Sequence, residues 1–538
     1  YSINLRKTTA MSKTTKKWTI IFLVSAKSNL YNEMIAAINE ICSVGSNKHI
    51  NYIIIYDGLE AGVFKKEFTK PCVFYASHKV DFSKAQPEKV YPECDLTEER
   101  DLSIIVEDIK NKFPAEHYGF VYKGHGGRGN VDINNGITIE EIVPIPKKVD
   151  IHDDSKIEQY LESINKSSHS DFFVLEKRSS VVNDSVLLIY KSKDPRMLTH
   201  VNITNVLRKN FDGPRELGFV FMDCCWAMQV ENLYEYKYIT KYYVASADEM
   251  PALGLGKGYS NFCRKLNERP QAKYDEIADL LISLYYANMY DDYDQEGAPV
   301  SFSKMGVSLT CADATDLKYF TDKFFDFCEI LKNNMDDIHL IFAEARDKCH
   351  DFTYEPEEQF GVYNIDLMWF LENLLYFNRM SDMPHEQLEI SINGLMRICM
   401  LYLRKSFMGS NYQDPYPGNR KRVCRGITIT FPIKKGGLTD NYNQIGPERR
   451  AEIKFYKKTG WPMVLEKYFE TVEKYKNSVT GMNEHLKNQV AAGFKRRDFK
   501  NITAGTLTVQ NYRELIEDLQ TIHPDYRWGR KKFIRYNQ

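Results

Sequence analysis

Two short elements stand out for the chemistry their residues permit. Gly124-His125-Gly126-Gly127 directly follows the apolar run His117–Tyr122, and Asp223-Cys224-Cys225 ends the run Leu217–Met222. An imidazole titrates near neutrality and can pass a proton to a departing group. Glycines on both sides let the backbone turn tightly and come close to a ligand. A thiol at the end of a strand can act as a nucleophile where backbone amides favour its thiolate. Each element also has a plainer explanation: a simple turn or phosphate-holding loop for the first, an inert buried cysteine for the second. The conjunction carries more than either alone. A histidine and a cysteine at two strand ends, far apart in sequence, are what a thiol hydrolase built on one sheet requires.

Other chemistries find less support. The 11 cysteines and 12 histidines are scattered, without a C-x-x-C pair or an H-E-x-x-H motif, so no metal site is expected. The cysteine spacing fits reduced thiols better than a secreted disulfide framework. Lys123-Gly124-His125 lacks the spacing of a phosphate-binding loop, and no G-x-G-x-x-G is present. A net charge of -1, with 27% charged and 43% hydrophobic residues, suggests neither a nucleic-acid partner nor an anionic membrane surface. The apolar run Thr19–Ala26 is far short of the ~18–20 residues that span a bilayer and reads as a buried strand. Tyr1–Ala10 precede Met11 and read as a leader foreign to the natural chain, with no export signal behind it; a cytoplasmic location is the expectation.

The elements that must position the pair follow from periodicity. Thr19–Val24, Tyr52–Tyr56, His117–Tyr122, Leu217–Met222 and Tyr242–Ala245 read as strands. Between them, Glu33–Cys42 and Leu102–Phe113 have helical spacing. Fully apolar strands alternating with amphipathic helices predict an α/β fold, a mostly parallel sheet flanked by helices. Such sheets gather their sites beyond the carboxyl ends of the strands, where His125 and Cys225 both fall. A polar tract at 143–208, holding a helix-like Ile157–Ile164, is expected as an insertion. Beyond about residue 300 the pattern is mainly helical: Leu317–Asn333, Asp336–Lys348, Ile365–Leu375 and His385–Leu403, interrupted by the strand-like Ile427–Phe431.

With these motifs in order, the chain resembles the clostripain-like cysteine peptidases, relatives of caspases, legumains and gingipains. The resemblance rests on Trp18–Ala26 with Asn29-Leu30, Gly124-His125-Gly126, Asp223-Cys224-Cys225 and Ser246–Pro251 with Gly254. Later echoes are Ser308–Asp313, Tyr363–Leu367, Gly426–Pro432 and Thr459-Gly460-Trp461. It covers about residues 18 to 470. It implies a caspase-like sheet in 18–300, a mainly helical C-terminal part of the peptidase unit in 301–476, and a basic extension in 477–538 after a leader in 1–17.

The resemblance implies Cys225 as nucleophile, His125 as general acid, and the backbone amides of Gly126 and Cys225 as the oxyanion hole; Cys224 is a bystander. No third catalytic residue is expected. Asp223, with Asp248 or less favourably Glu249, is the expected floor of a pocket for substrate arginine or lysine, since a carboxylate pairs with either. A helix N-cap is the plainer role for Asp223, and Arg128 beside the histidine leaves an acidic-residue preference as the alternative. Relatives are often activated by self-cleavage after a basic residue between histidine and cysteine, where Lys147, Lys148, Lys177 and Arg178 stand. A zymogen is therefore expected, or a regulatory protein partner docking on the insertion. A catalytically silent scaffold is the rival reading. No cofactor is required; calcium, needed by some relatives, stays open, and Asp153-Asp154 and Asp291-Asp292 read as surface.

Overall fold

The computed structural model describes residues 15–58, 70–79, 82, 85–126, 130–134, 137–145, 149, 154–163, 172–178, 183–192, 196–248, 250–256, 258–291, 308–349, 364–381, 383–408, 425–432 and 453–478. The chain opens with β1 (Lys16–Ser25), α1 (Tyr31–Val44), β2 (Ile50–Asp57), β3 (Cys72–Tyr75), β4 (Lys89–Val90), α2 (Glu99–Lys112) and β5 (Ala115–Lys123). An insertion follows: β6 (Asn130–Asn134), β7 (Ile137–Ile145), α3 (Asp154–Ser163), β8 (Phe172–Arg178), β9 (Asn183–Ser192) and β10 (Arg196–Thr199). The main unit resumes with α4 (His200–Asn210), β11 (Leu217–Asp223), α5 (Val230–Glu235), β12 (Tyr242–Ala245), α6 (Gly258–Glu268), α7 (Tyr274–Asp291) and β13 (Ser308–Asp313). The last part holds α8 (Lys318–Asp347), β14 (Asn364–Asp366), α9 (Leu367–Met380), α10 (Glu386–Tyr402), β15 (Leu403–Met408), β16 (Thr428–Thr430), α11 (Lys454–Thr459) and α12 (Trp461–Ser478).

Nine strands form one sheet in the order β15-β13-β12-β11-β5-β1-β2-β3-β4. The five central strands, β12 to β2, are parallel, and the two added at each edge are antiparallel. Strand periodicity divides the apolar side chains between the two faces. Along β1, Ile21 and Leu23 enter one core while Ile20, Phe22 and Val24 enter the other. The first core is closed by α2, α4, α5 and all the helices from α8 onward; the second by α1, α6 and α7. With both faces covered, the central strands carry near-continuous apolar runs, which is why they are visible in the sequence.

Three expectations change. The 143–208 tract holds sheet: β7, β9 and β8 pair antiparallel in that order, and β6 pairs with β10. The insertion begins at β6, a few residues past the histidine, and α4 is already part of the main unit. Leu317–Asn333 and Asp336–Lys348 are one helix, α8, because nothing between them breaks a helix and Met335 continues the buried stripe. Finally, β13 and β15 lie beyond residue 300 yet extend the main sheet, so the C-terminal helices share its core. No helix among the described residues is long and apolar enough to cross a membrane.

Candidate active site

The site begins with strand register. β11 runs parallel to β5 with Met222 opposite Tyr122 and Asp223 opposite Lys123. Gly124-His125-Gly126 and Cys224-Cys225 therefore leave the sheet side by side, from strands about 4.8 Å apart. Gly126 makes the approach close. A β-carbon built on it would lie 2.5 Å from the Cys225 carbonyl oxygen and 2.7 Å from the Cys224 sulfur, so only glycine fits. His125, Gly126 and Cys225 are thus brought together at the carboxyl rim.

The same alternation separates the two cysteines. Val220 and Met222 enter the core under the C-terminal helices, and Cys224 continues that set, 2% exposed. Burial first, then the neighbouring Cys225 and Asp223, pushes its thiol far above the ordinary range, so it stays protonated. Cys225 is only half-buried and packs toward the opposite core. The Met250 backbone N–H donates to its sulfur at 3.2 Å. Directly after it, Trp226 adopts φ 50°, left-handed backbone that a bulky residue occupies only under strain. That bend reverses the chain above the sheet, and it is held by Trp226 N–H donating to Asp248 O at 3.0 Å and Met228 N–H to Ser246 O at 2.7 Å.

His125 is fixed at both ends. The Tyr122 hydroxyl donates to its carbonyl at 2.8 Å, and its Nε2 lies 2.6 Å from Asn29 Oδ1. An amide oxygen only accepts, so Nε2 carries the hydrogen and the neutral ring keeps its lone pair at Nδ1. Burial, then the Lys123 ammonium, lowers the imidazole below its usual pKa. Both causes favour the neutral ring over the charged one.

Asp223 is not an open pocket floor. Its side chain is 1% exposed, and Lys123 Nζ lies 3.2 Å from Oδ2 with its own side chain 4% exposed. The Tyr259 hydroxyl and the Leu255 N–H also donate to Oδ2. The sequence reading missed this because Lys123 was weighed only as part of a glycine motif. Asp248 is buried at the bend, its main chain tied to Trp226 and Ser246. Lys177 and Arg178 end β8, an edge strand of the insertion, paired with Asp184 and Asn183. Arg128, Lys147, Lys148 and Glu249 lie outside the described residues. Among the described residues, no group of three or more His, Cys, Asp or Glu side chains is placed to hold a metal ion.

Asn29 is the partner the sequence did not assign. It stood inside the Asn29-Leu30 element, but nothing local connects it to a residue 96 positions away. The parallel β1–β5 pairing makes that connection, since Val24 lies opposite Lys123.

The chain matches the model of the clostripain family over residues 133–468, well over half its length. The match starts just past His125 and contains Cys225. No curated protein matches it. Among solved structures it is similar to a secreted C11 cysteine protease from Bacteroides thetaiotaomicron in complex with an irreversible peptide inhibitor. That similarity has a TM-score of 0.50 at 13% identity, covering 83% of this chain and 99% of that one. An inactive zymogen C11 protease from Parabacteroides distasonis gives a TM-score of 0.48 at 14% identity, with the same coverage of both chains. The family model, together with a caspase-like sheet that the first neighbour shares, leads to one conclusion: the chain belongs to the clostripain family and is a cysteine peptidase.

Proposed function

We propose that the chain is an endopeptidase acting on peptides or proteins through Cys225 and His125. The reading is carried by one observation: Gly126 packs on the carbonyl of Cys225, at the ends of two strands in register. His125 Nδ1 takes the thiol proton, and the sulfur adds to the scissile carbonyl carbon. The resulting oxyanion is received by the backbone N–H groups of Gly126 and Cys225, donors that match the tetrahedral state better than the planar one. Collapse expels the amine, which takes the proton from His125. Water then attacks the thioester, with His125 as base, and releases the acid.

Activation by cutting within the insertion is part of the proposal. β8, which ends in Lys177 and Arg178, is an edge strand where a few ladder bonds must open before the segment can enter a cleft as an extended strand, and a self-cut there is expected after an uncharged residue of β8 rather than after Lys177 or Arg178. Cleavage after arginine or lysine, by contrast, needs a carboxylate with charge to spare, and Lys123 already answers Asp223.

The test compares wild type with Cys225→Ala on a peptide library, with intact mass read in parallel. Hydrolysis and any self-cut fragment are expected only in the wild type. Equal hydrolysis by the two proteins would end the assignment of Cys225.

A further inference from the structure

We infer that Lys123 is the specificity-determining residue of this site: it fills, from within the chain, the charge position that Asp223 would offer a basic substrate side chain, and so admits uncharged side chains before the scissile bond. The inference rests on Cys225 being the nucleophile. Three observations carry it. Lys123 and Asp223 are paired positions on adjacent strands, each two residues ahead of His125 and Cys225. Their ion pair is almost fully withdrawn from water, and Lys123 Nζ also donates to Ala252 O at 3.2 Å. The segment that seals the pair is the one that touches the nucleophile: Met250 reaches the Cys225 sulfur, and Ala252 and Leu255 bind Lys123 and Asp223.

Charge counting decides the outcome. Asp223 Oδ2 already receives an ammonium, a phenol and a backbone N–H. Oδ1 lies under Gly254, whose left-handed backbone packs so closely that a β-carbon would collide with the carboxylate. Oδ1 accepts no hydrogen bond, but the Gly254 backbone covers it, so a substrate guanidinium would meet a second buried cation before it reached that oxygen. Two like charges sharing one desolvated carboxylate leave one of them uncompensated, which disfavours the basic side chain. A neutral side chain brings no second charge toward a pair that is already balanced.

The test has an arm that needs no catalysis. Binding of agmatine, a guanidinium probe, is measured by calorimetry in a Cys225→Ala background. No binding is expected with Lys123 present, binding is expected in Lys123→Met, and loss again in Lys123→Met/Asp223→Asn. In the catalytic arm, a library varied at the residue before the cut is offered to wild type and Lys123→Met. The wild type should favour uncharged residues, and the variant should gain about tenfold or more for arginine and lysine relative to them. Melting curves check folding. Should Lys123→Met fail to fold, Lys123→Gln, which keeps a donor for Ala252 O, should show the same gain in smaller measure. Agmatine binding to the Lys123 protein, no binding to any variant, or an unchanged arginine preference would each overturn the inference. Failure of the catalytic reading looks different: no library peptide would be cut in a Cys225-dependent way, while the agmatine arm still reports on Asp223.

Discussion

The carboxyl rim and the seam beneath the C-terminal helices both bury carboxylates, but weight backbone and side-chain donors differently. At the seam, Glu231 accepts the Thr430 N–H, Glu235 accepts the Lys454 N–H as well as its ammonium, and Asp366 caps α9 through the Trp369 N–H while also accepting the Arg425 N–H. These acceptors tie distant backbone together, α5 to β16 and α11 among them. At the rim, Asp57 and Asp223 are answered by lysine side chains from the neighbouring strands or their ends. A backbone donor cannot be mutated away and fixes a fold. A side-chain cation can be exchanged, and exchanging it alters what the site attracts. The seam holds the molecule together, and the rim sets its chemistry.

The two adjacent cysteines give the widest separation between these regions, because Cys224 points into the seam's core and Cys225 to the rim. Cys225→Ala should abolish measurable peptide hydrolysis, a loss of about 10³-fold or more, and leave the melting temperature within a degree or two. Cys224→Ala should keep hydrolysis within a few-fold and lower stability by about 1 kcal/mol. Hydrolysis surviving in Cys225→Ala and vanishing in a folded Cys224→Ala would exchange the two roles.

Asp366 sharpens the seam side through pH. Burial raises its carboxyl to about 7, against the opposing pull of the Trp369 and Arg425 N–H groups. The folded value lies above the unfolded one, so the native state binds the proton more tightly. Its contribution is complete below pH ~4 and is lost as pH rises toward 7. Asp366→Asn keeps the cap but cannot ionise. It should melt lower than wild type near pH 5, by about 1 kcal/mol, with the gap closing or reversing above pH 7. Parallel melting profiles across that range would remove ionisation of Asp366 from the account.

The regions also differ in how far the sequence reveals them. Both faces of the central sheet are covered, so its strands are apolar runs, and β1, β2, β5, β11 and β12 were readable with their order along the chain. The strand-end places of His125 and Cys225 were readable because glycines and an aspartate mark those ends. The insertion's strands were not: Phe172–Arg178 and Asn183–Ser192 mix charged and apolar residues, and pairing them takes partners distant in sequence. The Lys123–Asp223 pair and the Asn29–His125 contact were hidden for the same reason. Register between strands a hundred residues apart is a tertiary property, and only it tells which lysine faces which carboxylate.

Asn29 tests whether the rim positions groups or merely contains them. Asn29→Ala frees the His125 ring and should lower kcat by about 10-fold or more with KM little changed. Asn29→Asp should restore orientation and, by placing an anion beside Nε2, raise the imidazole pKa and move the acid limb of the pH–rate profile upward. A structural role alone would change the melting temperature and leave that limb where it is.

The smallest expected effect separates the two lysine pairs of the rim. Lys27 Nζ lies 2.8 Å from Asp57 Oδ1, but Lys27 is 21% exposed, and β1 and β5 stand between Asp57 and the cysteine strand. Burial raises the Asp57 carboxyl to about 6, and Lys27 holds it from going higher. Its folded value again exceeds the unfolded one, so stability declines as pH rises from about 4 to 6, and removing the lysine deepens that decline. Lys27→Met should therefore cost almost nothing at pH 5, where Asp57 is protonated, and about 1 kcal/mol at pH 8. Substrate preference should not move, because β1 and β5 separate this pair from the cysteine strand. A gain for arginine substrates in Lys27→Met, matching that expected of Lys123→Met, would mean that net charge along the whole rim governs selection, and the distinction between a buried pair under Cys225 and a half-open one beside it would fall.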